Sequence, residues 1–367
     1  MTQLLTHEQN ELRATLRKFF AKESPLTEVR SVATGKTGYD GGLWQRMSDE
    51  LGLPGIAIPE QYGGAGFGLA ELAVVTEELG RALVPSPYLA SAVVAATMLA
   101  ELADPDVNRE VLADIAVGDV VGTATFDILF GVDARAVTAQ LTGDGPRLTG
   151  SAGAVLDAAE ADVLIIVAGQ GRERSAYLIE LAAAGVTRTP LSGLDLTRRY
   201  ARVDLDGVAA RQVICSDTEA ALGRARDRIS VALAAELLGV LRYCVDTTVE
   251  YVKGRVQFGR PVGGFQAVKH GCADMWVRYE LAESAVRHAA AVGDVGGDEL
   301  SAAAALALAY TCEAATATAD DMIQFHGGIA YTWEHDAHLF YRRAHAAAAM
   351  FGRPAAHRAR LADLLGI

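Results

Sequence analysis

The segment 255–266 gathers side chains that could grip a phosphorylated, ring-bearing ligand. Arg255 offers a planar fork of donors that matches paired pyrophosphate oxygens. Phe258 adds a flat face for a ring, and Gln266 an amide that both donates and accepts. Gly259 and Pro261 are turn formers, so the segment reads as a connection between two helices. A second segment, Gln324-Phe325-His326-Gly327-Gly328, supplies another amide beside glycines that let a ligand approach the backbone. Residue types alone leave open whether these segments bind a nucleotide or merely join helices.

Two other clusters carry less. The run Tyr62-Gly63-Gly64-Ala65-Gly66-Phe67-Gly68 opens a helix, but a dinucleotide loop needs a preceding buried strand and a βαβ context. Gly55–Pro59 is too short a strand signal, so a structural loop is expected. His335 and His338 fall one helical turn apart beside Asp336. That spacing admits a metal, yet caps and surface polar groups are the expected roles, and no metal site is assigned.

The elements that must position these residues follow from the patterning. The 367 residues are 51% hydrophobic, which excludes disorder, and the net charge of −13 argues against nucleic acid as the main ligand. Cys215, Cys244, Cys272 and Cys312 lie far apart, as expected of buried reduced thiols in a cytoplasmic protein. Neither a signal-peptide core nor an uninterrupted apolar run of membrane-spanning length is visible, so no membrane association is expected.

Residues 1–117 read as helical: Leu5, Leu12, Leu16 and Phe19/Phe20 recur at helical spacing, and Thr6 with Gln9 has capping-box spacing. Further helices are expected over 44–51, 69–83 and 88–102. Residues 118–215 carry short β-rich runs at 120–125, 137–141, 147–149, 163–168, 176–180 and 201–205. No helical pattern alternates with them, so an antiparallel barrel or sandwich is expected. Residues 216–367 return to helices, over 217–253, 264–292, 299–326, 335–350 and 354–365, suggesting a four-helix bundle. Phe265, Val268, Cys272, Met275/Trp276 and Tyr279 form one apolar stripe. The fold class is α+β: helical domain, central β domain, helical bundle.

Arg255-x-x-Phe258-Gly259 with Phe265-Gln266, followed about 60 residues later by Gln324-x-x-Gly327-Gly328, resembles the acyl-CoA dehydrogenase family. Residues 55–68 look like its N-terminal helical domain, and Leu194-Asp195-Leu196-Thr197-Arg198-Arg199 like its β domain. The resemblance implies that Arg255, Phe258, Gln266, Gln324, Gly327 and Gly328 grip the ADP half of FAD. It also implies that the flavin is held mainly by a neighbouring subunit.

Other family features are missing. The loop that carries Thr-Glu-Pro and Gly-Ser-Asp in the family corresponds to residues 124–131, which have none of them. Ala154, Val155, Leu156 and Asp157 stand where the family places an aromatic and a hydroxyl beside the flavin ring. The reaction needs a carboxylate to remove the α-proton of an acyl thioester. At the family's usual position stands Phe351, and at its alternative position Ile229. Of the nearby carboxylates, Asp227, Glu236 and Glu334 are expected on solvated faces or as caps. No catalytic residue is assigned.

Groups that act across an interface are retained, whereas groups for an internal active site are gone. The resemblance therefore implies the non-catalytic subunit of a heteromeric, α2β2-type FAD-dependent acyl-CoA dehydrogenase, with the acyl-CoA held mainly by a homologous catalytic partner. Heteromeric members often handle bulky thioesters such as steroid side chains. The alternatives are a self-sufficient homo-oligomer with a relocated base, Asp227 foremost, and a non-enzymatic scaffold. The basic cluster Arg342, Arg343, Arg353, His357, Arg358 and Arg360 is expected to form salt bridges instead of facing phosphates.

Overall fold

The computed structural model describes residues 5–125, 137–169, 174–297 and 299–367. Thr6 opens α1 (His7–Glu23) as its spacing predicts: its hydroxyl accepts the Gln9 N–H, and the Gln9 amide oxygen accepts the Thr6 N–H. Then come α2 (Leu26–Thr34), α3 (Gly41–Asp49) and α4 (Leu69–Ala82). The helix expected over 88–102 is a π-helical turn, Leu89–Ala95, that runs into α5 (Ala96–Leu102). Asp104 caps α6 (Pro105–Val117), with proline at a position where its missing N–H costs nothing.

The β region is a sandwich of two four-stranded sheets. One holds β1 (Gly122–Ala124), β4 (Val163–Ala168), β5 (Ser175–Glu180) and β8 (Arg211–Val213). The other orders β2 (Thr138–Thr142), β3 (Gly145–Leu156), β7 (Tyr200–Ala209) and β6 (Val186–Leu191) as β2-β3-β7-β6. The two share a core that includes Leu148, Leu164, Ile166, Ile179 and Val203. The expected antiparallel pairing holds except that β1 pairs parallel with β4, Gly122 opposite Val163. The long excursion through the other sheet makes that pairing possible, because a parallel neighbour needs a crossover of a dozen or more residues. The apolar run of β4 is buried on both faces: Leu164 and Ile166 face the sheet core, Ile165 and Val167 the helices. Strands β6 and β8 are absent from the sequence expectation. β6 is an exposed edge strand carrying Pro190, which hides its periodicity.

The C-terminal bundle has three long helices, α7 (Thr218–Gly254), α8 (Gln266–Val295) and α9 (Glu299–His326), closed by α10 (Ala337–Met350) and α11 (Pro354–Leu365). Helix α4 packs on α7 where both carry glycine. A Cβ on Gly80 would lie 2.0 Å from the Glu236 carbonyl, and one on Gly239 1.9 Å from that of Glu77. This close crossing fixes Glu236 in the interior. The apolar stripe of α8 is only partly core: Met275 and Tyr279 are buried, whereas Phe265, Val268 and Cys272 are half-buried and Trp276 is exposed. The thiols also divide, with Cys244 and Cys312 buried and Cys215 and Cys272 half-buried.

Candidate functional site

The two segments singled out by residue type meet at one end of the bundle. Helix α7 closes as the Arg255 N–H donates to the Tyr251 carbonyl at 2.8 Å, and the chain then forms a minimal hairpin, Val256–Gln257 against Arg260–Pro261. Its loop residues Phe258 and Gly259 have φ of 50° and 76°. Both are left-handed, as a two-residue hairpin turn with mirror-image geometry requires. That conformation suits Gly259 but strains a bulky residue. Phe258 nonetheless holds it with 90% of its surface exposed, its ring meeting Phe265 edge-on at 6.1 Å.

Gln266 begins α8 and Gln324 sits in the last turn of α9, both exposed. Two packings join their segments. The Phe325 ring lies so close to α8 that a Cβ on Gly271 would come within 2.2 Å of it, and Tyr251 stacks on His326 at 4.3 Å between centroids. Gly327 takes φ of 66°, and a Cβ there or on Gly328 would meet only open space. Among the described residues, the side chains of Arg255, Gln266 and Gln324 make no hydrogen bond or ion pair. An unpaired guanidinium, two free amides, an exposed ring and two bare glycines form a donor set that fits a nucleotide pyrophosphate and ribose.

The interior differs from the sequence expectation. Glu236 is buried, not solvated: it accepts from Arg343 at 2.9 Å and from Arg198. Arg343 also donates to Asp195 and to the Thr197 hydroxyl, and Asp195 is tied to Thr197 through both its N–H and its hydroxyl. Although burial pushes Asp195 up, Arg343 and Arg198 hold its carboxyl below the ordinary value. The Arg198 guanidinium lies over Phe351, 5.6 Å from the ring centroid, and Phe351 is itself 1% exposed. The cluster thus ties the loop before β7 to α7 and α10.

Leu156 and Asp157 form one wall of the same region. Asp157 takes φ of 51° and is buried. Burial, reinforced by the Glu160 charge, pushes its carboxyl up to about 7 against the pull of Arg198. The cavity among Tyr88, Leu156, Asp157, Arg198, Glu236 and Arg343 holds about 20 Å³. That is room for a single water, not for a flavin ring or an acyl chain.

Asp227 likewise departs from a solvated face. It is buried, accepts from Arg360 at 2.6 Å, and receives the Ser301 hydroxyl. Ile229 is fully buried and Glu334 is exposed. The basic cluster does form salt bridges: Arg343 as above, Arg360 with Asp227, and Arg358 with Glu313. The glycine run is a structural loop, in which a Cβ on Gly64 would lie 2.1 Å from the Ile58 carbonyl. His335 acts as a cap, its Nδ1 accepting the Ala337 N–H at 3.1 Å. Of the substituted loop at 124–131, residues 126–131 lie outside the described residues.

The buried ionic cluster is what sequence reading missed. Its one local signal was an acid, a hydroxyl and two cations within five consecutive positions, Asp195 to Arg199.

Comparison with known proteins supplies the family. Residues 6–119 match the model described as acyl-CoA dehydrogenase, N-terminal domain, and residues 223–365 match acyl-CoA dehydrogenase, C-terminal domain. The chain belongs to the acyl-CoA dehydrogenase family. This family is FAD-dependent. The chain is 35% identical over 351 residues to acyl-CoA dehydrogenase IpdE2 of Mycolicibacterium smegmatis, covering 95% of this chain and 96% of that one. It is 38% identical over 303 residues to FadE34 of Mycobacterium tuberculosis, covering 82% of this chain and 39% of that one. Among solved structures, the ChsE4-ChsE5 complex from Mycobacterium tuberculosis matches with a TM-score of 0.89 at 28% identity, over 99% of this chain and 98% of that one. The Tcur3481-Tcur3483 steroid acyl-CoA dehydrogenase variant matches with a TM-score of 0.87 at 28% identity, over 98% of each chain.

Proposed function

We propose that this chain is the cofactor-completing subunit of a heteromeric, α2β2-type acyl-CoA dehydrogenase. In this reading Arg255, Phe258, Gln266, Gln324, Gly327 and Gly328 clasp the ADP half of a FAD. The flavin ring, the thioester and the proton-accepting carboxylate belong to a homologous partner. Bound FAD would supply the hydride acceptor for α,β-desaturation of the acyl-CoA.

One observation carries the reading: Phe351 lies under Arg198 within a buried ionic cluster whose cavity leaves room for one water. A general base must be a carboxylate within reach of the α-carbon and not committed to a cation. Glu236 and Asp195 are held by arginines and Asp227 by Arg360 and Ser301. The self-sufficient alternative, with Asp227 as relocated base, therefore finds no support.

Two further observations favour a partner. The ChsE4-ChsE5 structure is of a complex. Phe258, Ile329, Tyr331 and Trp333 place exposed apolar surface in or beside the clasp segments, as interfaces do. The steroid designation of the Tcur3481-Tcur3483 protein favours a bulky, steroid-type thioester as the complex's substrate. Cytoplasmic location goes with this reading.

The experiment is dye-coupled oxidation of acyl-CoA by the lone chain and by the chain co-expressed with a homologous acyl-CoA dehydrogenase. Activity only in the pair supports the proposal, and turnover by the lone chain overturns it. A scaffold without flavin is separated by Arg255→Ala, which should lower the FAD content of the complex only if the clasp works.

A further inference from the structure

The clasp residues make no hydrogen bond or ion pair with one another. Beneath them, beside the packing of Phe325 on α8, the segments are joined at the His326 ring. His326 ends α9 and is 3% exposed. Its Nδ1 lies 2.7 Å from the Met322 carbonyl. A carbonyl only accepts, so Nδ1 carries the proton, and in the neutral ring Nε2 is a bare lone pair. Nε2 is buried without a hydrogen-bond partner.

Tyr251 stacks on this ring at 4.3 Å, and the Tyr251 carbonyl holds the Arg255 N–H. The His335 ring lies 4.7 Å away, and His335 caps the start of α10 through the Ala337 N–H. One imidazole therefore touches the last turn of α7 and the approach to α10 while immediately preceding Gly327 and Gly328.

We infer that His326 is a positioning residue: while neutral, it keeps the Arg255 hairpin and the Gly327–Gly328 turn in register, and its protonation releases both together. A proton on Nε2 would create a buried N–H without an acceptor, beside His335. Among the described residues, no carboxylate near the ring favours its charge. Asp336 is engaged by Arg30 at 2.6 Å, and Arg30 and Arg342 disfavour charge on His338. Burial lowers His326 and His335 as well. Only the consequence for FAD rests on the clasp reading; the coupled motion does not.

Hydrogen–deuterium exchange on the full chain at pH 7.5 and 5.5, corrected for intrinsic rates, tests the inference. Peptides containing Arg255 and Val262, and those containing Thr332, should exchange faster at pH 5.5, by up to about tenfold, the most that one imidazole released to its ordinary value near 6.5 can supply. His326→Phe keeps a ring against Tyr251 but cannot be protonated, so its hairpin peptides should exchange alike at both pH values, whatever His335 still contributes around Thr332. His326→Ala should exchange fast at both. A wild-type hairpin indifferent to pH, or an acid response of the hairpin surviving undiminished in His326→Phe, overturns the inference. Arg255→Ala leaves the stack intact and tests the clasp separately: unchanged FAD content in that variant would sink the clasp while leaving the His326 result standing.

Discussion

The ring of Phe351 lies 5.6 Å from the guanidinium carbon of Arg198, at the position where the family resemblance places a catalytic glutamate. Restoring that residue should not restore catalysis. A carboxylate at 351 would face Arg198, and a neighbouring cation lowers a carboxyl's pKa and weakens it as a base. Phe351→Glu is expected to show no dye-coupled acyl-CoA oxidation above the unmodified chain. Turnover by this single variant would mean that the ionic cluster opens and that the cavity is a working pocket.

The cluster should matter for stability in proportion to its burial. Glu236 sits between Arg198 and Arg343, all less than a tenth exposed. Removing one member of a buried ionic group costs about 3–5 kcal/mol, because the partners are left uncompensated. Glu236→Gln should lower the unfolding free energy by about that amount. The exposed Arg358–Glu313 pair, about half accessible on both sides, should lose under about 1 kcal/mol in Glu313→Gln. Urea unfolding of the two variants checks the contrast, and equal losses would contradict it.

Asp157 should make the fold weaker as pH rises. Its carboxyl is pushed up to about 7 by burial and by Glu160. A raised carboxyl stabilises the fold fully below its unfolded value near 4, and that contribution is lost as pH climbs toward 7. Asparagine removes the titration and tolerates the left-handed φ of 51°. Asp157→Asn should therefore gain on the order of 2–4 kcal/mol over wild type at pH 8 and almost nothing at pH 4. A difference independent of pH would rule this out.

The histidines act in the opposite direction. His326, His335, His338 and His357 are all lowered, burial being the first cause in each. The fold favours their neutral form, so the stability they contribute is present above about pH 6.5 and is lost as pH falls below it. Asp157, Glu77 and Asp294 are raised and oppose this trend, so it is read by difference: between pH 7.5 and 5 the urea midpoint of wild type should drop relative to that of His357→Phe, in which the carboxyls are unchanged. A difference that stays flat or rises would contradict this.

Much of this architecture was legible in the residues because its signals are local. Thr6 and Gln9 announce α1, and the run at 163–167 forms a strand buried on both faces. The exposed hairpin segment was legible for the same reason, since its arginine, aromatic, turn residues and amide lie within twelve consecutive positions. The ionic cluster was not. Asp195, Glu236 and Arg343 are distant in the chain, and in isolation each looks like a solvated polar residue. Only the glycine crossing of α4 on α7, at Gly80 and Gly239, carries Glu236 inward. Strand β6 failed for another reason: an exposed edge with a proline has no alternation to read.

The central claim is a division of the cofactor site between two polypeptides, and the flavin-to-polypeptide ratio tests it most directly. The lone chain should purify nearly colourless, and the co-expressed pair should hold a single FAD per heterodimer. Arg255→Ala should weaken that FAD by about 10–100-fold, the size expected for hydrogen bonds to charged groups. A homomer of this chain that carries a full complement of FAD and turns over an acyl-CoA would contradict the account.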